Sequence, residues 1–320
     1  MTTKNSVLLS VAIPVYNEAG GLADFNKALI ASVDKATDGS YERIYCNDGS
    51  LDKTAQLIEG FHKQNPKVKL ISFSRNFGKE IATTAALHAA TGQAVITIDA
   101  DGQHPVELIP EFLERWRDGT KVVIGVRQSN QNEGWVKRYG SKLFYKIFNR
   151  FTGIKLIPGS SDYRLIDQVV CREFVRMTER SRITRGLIDW LGYPRDYIKF
   201  KANARLSGEA GYSFKKLFKL AIDSIVSMSK SPLHFIAYLG AVVLPISTII
   251  GLVMVIDAAV GDPLGLRATG SAYAVVLILF LVGVLLVSQG IIGLYLSQIH
   301  TETQNRPLYI IDEENSVGIK

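Results

Sequence analysis

The chain has 320 residues, two cysteines and a formal net charge of +7, a length that holds one large domain or two smaller ones. Cys46 and Cys171 are too few and too far apart to form a disulfide framework, which points to a reducing, cytosolic setting, and Cys46 reads as a small buried hydrophobe. The positive balance admits nucleic acid, membrane or anionic substrates; many basic residues lie between Lys121 and Lys230, just ahead of two long apolar runs, which favours the last two over nucleic acid.

Positions 1–10 lack the basic region and long apolar run of a signal peptide. Residues 6–14 form an apolar strand pattern that stops at proline, followed by Val15-Tyr16-Asn17-Glu18. A helical stripe of Leu22, Phe25, Leu29 and Val33 covers 22–36. The spacing then predicts a strand at 41–46 and a helix to about Lys63 that Asp52 can cap. A third strand at 68–73 and a third helix at 79–90 follow, then a strand at 94–98, a helix at 105–116 and a strand at 122–126. Strands alternating with helices argue for an α/β domain with a largely parallel sheet. Ligands of such sheets sit outside the carboxyl ends of the strands. The polar clusters fall there: Tyr16-Asn17-Glu18, Asp48, Ser74-Arg75-Asn76, Asp99-Ala100-Asp101 and Arg127. No Gly-x-Gly-x-x-Gly follows the first strand and no Walker A pattern appears, so a dinucleotide site and an ATPase are unsupported.

Asp99 and Asp101 close a β-branched strand, and a spacing of i, i+2 sends side chains to opposite faces unless the backbone turns. Gly102 eases such a turn, and both carboxylates then converge on one hard cation with Gln103 adding an oxygen. A solvated acidic turn is the alternative. Residues 135–151 interleave Lys137, Arg138, Lys142, Lys146 and Arg150 with aromatic side chains. This is either an amphipathic helix with a solvated basic face or a helix near anionic lipid or phosphate. Ser161-Asp162-Tyr163-Arg164 lies on a short strand, with a helix at 182–193 and a strand at 197–202 beyond it.

Residues 212–228 carry Phe214, Leu217, Phe218, Ala221, Ile225 and Met228 on one helical face, with Lys215, Lys216 and Lys219 elsewhere around it. The pattern fits a helix in the membrane interface, a core helix being the alternative. Two runs without charge, 233–256 and 273–297, are each longer than the roughly 20 residues that span hydrocarbon. Pro245 is a kink site in the first. Basic residues before the first span and Arg306 beyond the second place both termini in the cytoplasm by the positive-inside rule. Gly283, Gly290 and Gly293 permit close helix approach, which predicts a homo-oligomer or packing within one hairpin.

Four segments resemble family 2 GT-A glycosyltransferases: Val11-Ala12-Ile13-Pro14-Val15-Tyr16-Asn17-Glu18, Asn47-Asp48-Gly49-Ser50-Leu51-Asp52-Lys53-Thr54, Ser74-Arg75-Asn76-Phe77-Gly78-Lys79 and Asp99-Ala100-Asp101-Gly102-Gln103-His104-Pro105. With the C-terminal apolar pair, the chain from Ser6 to Ile310 is similar to bacterial polyisoprenyl-phosphate glycosyltransferases of the GtrB type. Dolichyl-phosphate mannose synthases are more distant relatives.

The resemblance implies a cytosolic GT-A domain (1–210), an amphipathic juxtamembrane helix (211–231), a two-helix transmembrane hairpin (232–298) and a cytosolic tail (299–320). It implies a multi-pass enzyme of the plasma (inner) membrane, acting at the lipid bilayer. The enzyme would transfer a sugar from a nucleotide-sugar donor, a UDP-sugar by default, to a polyprenyl phosphate such as undecaprenyl phosphate. Glucose is the default sugar, with N-acetylhexosamine, mannose and aminoarabinose as alternatives; a non-catalytic membrane assembly subunit is the rival of another class. Pro14, Tyr16, Asn17, Glu18, Asp48, Lys79 and Asp99 would bind the sugar nucleotide. Asp99, Asp101 and Gln103 would hold Mg²⁺ or Mn²⁺, whose charge stabilises the departing diphosphate. Arg127, Lys137, Arg138 and Arg164 would handle acceptor and donor phosphates, and Asp162, Asp101 and Arg127 would be catalytic. The lipid phosphate is already anionic, so Asp162 would orient the acceptor or stabilise the sugar cation, with inversion at C1. Two departures from the family pattern stand out: Asn47 replaces a frequent aspartate, and Arg205-Leu206-Ser207-Gly208-Glu209-Ala210-Gly211-Tyr212-Ser213 replaces a Gly-x-Ser-Lys segment. Ser161 stands for a glycine in the family's Gly-Asp-Phe-Arg-Leu element.

Overall fold

The structure is a computed structural model and describes residues 7–128, 157, 159–180, 182–203, 270–319 and scattered helical positions between 238 and 261. Two compact units divide the chain: Met1–Phe218 with Arg306–Lys320, and Lys219–Asn305.

In the first unit, β1 (Leu9–Val15), β2 (Tyr41–Asn47), β3 (Val68–Ser72), β4 (Ala94–Thr97), β5 (Val122–Arg127), β6 (Ser160–Asp167) and β7 (Arg195–Phe200) form one sheet in the order β3-β2-β1-β4-β6-β5-β7. The sheet is mixed: β6 runs antiparallel between β4 and β5, and the other pairings are parallel. β1 and β4 are near-continuous runs of buried β-branched and aliphatic residues, as expected where helices cover a sheet, and β2 is buried throughout although it carries Glu42, Arg43 and Asn47. The covering helices are α1 (Leu22–Thr37), α2 (Thr54–Gln64), α3 (Lys79–His88), α4 (Ile109–Arg117), α5 (Gln168–Val175) and α6 (Thr184–Trp190). Leu22, Phe25, Leu29 and Val33 form the buried stripe of α1 and share one core with Ile109, Phe112 and Leu113 of α4.

Within the described residues the predicted elements are present to within a few residues. The expected helix at 105–116 begins as a 3₁₀ turn, Val106–Leu108, before α4. Helix α5 had no counterpart among the expected elements. Asp167 caps it, accepting the Val169 N–H at 2.9 Å. Both cysteines are buried and reduced.

The antiparallel entry of β6 decides what the sheet presents at one end. Thr97 faces Arg164 in the β4–β6 register, so Asp162 lies just beyond the end of β4, level with the Asp99 segment. Pro14 fits within a paired strand for a related reason. The β1–β4 ladder ends at Ala12↔Thr97, so the missing proline N–H faces a place where β4 has already stopped.

Residues 306–319 return to the outer edge of this unit. Ser74 and Asp312 donate backbone N–H groups to Ile310 and Ser72 carbonyls at 3.0 and 2.8 Å, and Leu70 and Val317 exchange two bonds. Tyr309 stacks on Phe73 with ring centroids 5.0 Å apart. The tail thus pairs with β3, which is otherwise an exposed edge of unpaired backbone groups.

In the second unit α7 (Gly270–Thr303) is one continuous helix. Its segment Phe280–Thr303 has a mean hydropathy of 2.0 and is not buried, so it is long and apolar enough to cross a membrane. It is the one such helix among the described residues. The first expected span, 233–256, lies largely outside the described residues. The expected helices at 135–151 and 212–228 and the segment 205–213 also lie outside them.

Candidate active site

Two loop clusters meet at the carboxyl ends of β1, β2 and β3. Asn17 adopts φ of 54°, and its side-chain oxygen accepts the Leu51 N–H at 2.8 Å. Its own N–H donates to Ser50 Oγ at 2.9 Å, and the N–H groups of Glu18 and Ala19 donate to Thr54 Oγ1 and Asp52 Oδ2. Asp52 also receives the Thr54 N–H at 3.0 Å, one residue ahead of the N-cap position, which Lys53 occupies without a side-chain cap bond. Tyr16 is left exposed beside this stitched turn.

Asp48 is buried at the end of β2, and its carboxylate accepts the N–H groups of Phe77 and Gly78 at 2.6 and 2.9 Å. Burial raises its pKa, against the pull of those two donors and Arg75. Gly49 is required here: it has φ of 69°, and a Cβ would stand 2.5 Å from the Arg75 carbonyl carbon. Asn47 is buried and structural in this setting, its Oδ1 accepting the Ser50 N–H at 3.1 Å.

At the end of β4 the chain turns through Gly102, φ 78°, as the pattern predicts. Asp101 Oδ1 accepts the Gln103 N–H at 3.0 Å, an Asx turn, and the Gln103 carbonyl accepts the Asn203 N–H at 3.2 Å. Asp99 Oδ2 and Asp162 Oδ2 lie 2.8 and 3.0 Å from Lys79 Nζ. The side chains of Lys79, Asp99 and Asp162 are 47%, 23% and 30% exposed. Burial opposes charge on Lys79, but Asp162 and Asp99 outweigh it and hold the ammonium pKa well above its usual value. Burial likewise opposes ionisation of Asp162, and Lys79, Arg185 and Arg164 overcome it and depress its pKa.

Two residues that carried no expected role, His104 and Glu80, support this cluster beside Arg164 and Ser161. His104 Nδ1 accepts the Asp99 N–H at 3.2 Å, and its ring stacks on Tyr163 with centroids 5.0 Å apart. Burial lowers its pKa, consistent with the neutral ring that this acceptor role needs. Glu80 accepts the Thr184 N–H at 2.8 Å, tying α3 to α6, and burial followed by the charge of Asp162 raises its pKa. Arg164 is buried, with Nη1 3.1 Å from Asp189 Oδ1 and Nε donating to the Ser161 carbonyl at 3.0 Å. Ser161 Oγ donates to the Gly125 carbonyl at 2.8 Å. Arg127 is exposed at the end of β5. Lys137 and Arg138 lie outside the described residues.

Among the described residues no three His, Cys, Asp or Glu side chains converge to cage a metal ion. The donor chemistry nevertheless fits a hard cation: Asp99 and Asp101 offer carboxylate oxygens, and an ammonium already stands against Asp99. Mg²⁺ typically uses one or two carboxylates and completes its shell with water and substrate phosphate.

Residues 10–175 match the family described as Glycosyl transferase family 2. The chain belongs to that family. It is therefore an enzyme that transfers a sugar, on a GT-A-like mixed sheet. It is 39% identical to an uncharacterized glycosyltransferase of Synechocystis over 96% of each chain. It is 35% identical to the bactoprenol glucosyl transferase of Shigella phage SfX, over 95% of this chain and 98% of that one. A prophage bactoprenol glucosyl transferase homolog of Escherichia coli is 34% identical over the same shares. Among solved structures, mannosyl-3-phosphoglycerate synthase from Rubrobacter xylanophilus shares the fold, with a TM-score of 0.50 at 16% identity over 69% of this chain and 72% of that one.

Proposed function

We propose that this glycosyltransferase is of the GtrB type and moves glucose from UDP-glucose to a polyprenyl phosphate such as undecaprenyl phosphate at the cytosolic face of the plasma membrane. The observation that carries this reading is the end-to-end similarity to bactoprenol glucosyl transferases, which extends through the apolar C-terminal region and beyond the sugar-nucleotide fold. Residues 1–210 form the cytosolic catalytic domain and 211–231 an interfacial helix. Residues 232–298 form a transmembrane hairpin, so both termini, including the tail at 299–320, are cytoplasmic. A reporter fused after Lys320 and a tag near Asp262 should then fall on opposite sides of the membrane; finding both on one side rejects the topology.

The residues divide the work by position. Pro14, Tyr16, Asn17, Glu18 and Asp48 take the nucleoside. Arg127 meets phosphate with charge-assisted hydrogen bonds, and Lys137 and Arg138 extend that role toward the lipid acceptor. Asp99, Asp101 and Gln103 hold Mg²⁺ or Mn²⁺, which when bound offsets the negative charge that gathers on the departing diphosphate. Asp162 faces the reacting centre as a carboxylate. It stabilises the positive charge that develops on the sugar and orients the incoming lipid phosphate, which needs no base to become a nucleophile. Arg164, buried against Asp189, adds positive charge that favours the ionised form of Asp162. One in-line displacement inverts C1.

The test is transfer by the full-length protein in detergent, with radiolabelled donors and undecaprenyl phosphate. UDP-glucose should yield a metal-dependent, phosphate-linked glucolipid whose sugar has inverted anomeric configuration. Transfer of N-acetylhexosamine, mannose or aminoarabinose alone overturns the sugar; no lipid product from any donor overturns the acceptor; a retained configuration overturns the single displacement.

A further inference from the structure

Lys79 occupies the first position of α3, and its ammonium touches both carboxylates of the cluster, Asp99 from the β4 end and Asp162 from β6. Next to it, Glu80 fastens the same turn of helix to α6 through the Thr184 N–H. The backbone is thus anchored while the lysine head, on a flexible four-carbon stem and half exposed, is held among the described residues by its ion pairs with Asp99 and Asp162. The ammonium is reachable from solvent while Asp99 and Asp162 are only 23% and 30% exposed, so the pairs are stronger than surface ion pairs yet open to an entering cation. Arg185 and Arg164 add positive charge around Asp162, so that carboxylate stays compensated when the lysine changes its other partner.

We propose that Lys79 is a placeholder cation. It keeps Asp99 and Asp162 together before the donor arrives. It then yields Asp99 to the divalent cation that accompanies the diphosphate, and keeps Asp162. Lys79 is thereby a positioning residue, acting through the two carboxylates and coupling donor entry to the placement of Asp162. The inference rests on the reading that a cation-bound sugar nucleotide docks at Asp99.

The experiment is a Mn²⁺ titration of the full-length protein in detergent, without nucleotide or lipid, following free Mn²⁺ by electron paramagnetic resonance. Removing the competing ammonium in Lys79→Gln should tighten Mn²⁺ binding by about fivefold or more, the least expected from loss of one ion pair. Lys79→Arg keeps the charge and should bind Mn²⁺ about as weakly as the wild type. In turnover, Lys79→Gln should lower kcat without raising KM for the sugar nucleotide. Unchanged or weaker Mn²⁺ binding in Lys79→Gln overturns the proposal, as does full activity of the wild type in EDTA, which would make the lysine a permanent cation. Should Lys79→Gln fail to fold, amine-directed labelling of the wild type serves instead. Mn²⁺ should raise modification of Lys79, and an unchanged yield overturns the proposal. Failure of the lipid-acceptor reading leaves these titrations untouched and appears only as absent transfer to polyprenyl phosphate.

Discussion

The two halves of the sheet hold their acidic groups in different ways. On the β1–β3 side, Asp48 is gripped by the backbone N–H groups of Phe77 and Gly78, which move only if the loop moves. On the β4–β6 side, Asp99 and Asp162 are held by the tip of one lysine side chain. Backbone donors suit recognition of a part that is the same before and after reaction, such as a nucleoside. A side-chain cation on a flexible stem can change partners without rebuilding the fold, which suits a place that must admit a second cation. The difference teaches that one end of this cleft is a mould and the other an exchangeable electrostatic site.

The largest expected effect lies on the exchangeable side. Asp101→Asn should reduce turnover by at least about a hundredfold, since a lost metal carboxylate removes several kcal/mol of charge stabilisation. Steady-state kinetics with and without EDTA check this. Activity that survives both the substitution and chelation removes the metal from the mechanism and makes the two halves alike. On the mould side, Asp48→Ala strips an acceptor from two N–H groups and should weaken nucleotide binding by about tenfold or more, on the scale of 1.5–3 kcal/mol for a charged hydrogen bond. Titration with UDP reads that loss. Use of polyprenyl phosphate at saturating donor should change far less; equal damage to both substrates breaks the division.

Much of this was legible in the sequence. Alternating elements gave the α/β class, and the rule that ligands sit at carboxyl strand ends gathered Asp48, Asp99 and Arg127 before any coordinates. The place of β6 was not legible, because strand order depends on register between distant segments, and Ala94↔Asp167 is a pairing that periodicity cannot see. Helix α5 was readable in principle. Asp167 followed by Val170, Cys171 and Phe174 is a cap and an apolar stripe, hidden by its shortness. The lysine bridge escaped for another reason: the motif ending in Lys79 pointed to the sugar nucleotide, whereas the pairing with Asp162 is made by tertiary packing between segments 83 residues apart.

The tail was read only as a cytosolic end, since the run Tyr309-Ile310-Ile311 is too short to announce a strand. Its pairing with β3 stiffens the mould side from behind, where Ser72 and Phe73 lead into the loop that supplies Phe77 and Gly78. Tyr309→Ala removes the stack on Phe73 and the contact with His88 Nδ1 at 3.1 Å. The expected cost is about 1–3 kcal/mol, the range for a partly buried aromatic truncation. Thermal unfolding measures it. A matching loss of UDP affinity would extend the mould to the tail, whereas unchanged affinity confines it to the loops.

The smallest effect belongs to a carboxylate that is fixed but remote from the cleft, and it serves as a control. Glu42 is buried near the opposite end of β2. It accepts Ser10 Oγ at 2.6 Å and both the N–H and the hydroxyl of Thr91 at 2.8 Å, and it pairs with Lys69 at 2.6 Å. Burial alone would raise its pKa, but Lys69, Ser10 and Thr91 overcome that and hold it below the usual carboxylate value. A depressed folded-state pKa means that the unfolded chain takes up its proton first as the solution is acidified. The stabilisation is therefore complete above the unfolded value, about 4.3 for glutamate. It declines as pH falls and is lost once pH passes below the folded value. Glu42→Gln should lower stability at neutral pH by about 1 kcal/mol, with the difference shrinking toward acid. Urea unfolding of both proteins across that range checks the sign. Because Glu42 touches neither half of the cleft, its substitution should leave nucleotide and Mn²⁺ binding as they are. A change in either would mean that stiffness of the whole sheet, and not the local donors at Asp48 and Lys79, sets the contrast between the two ends.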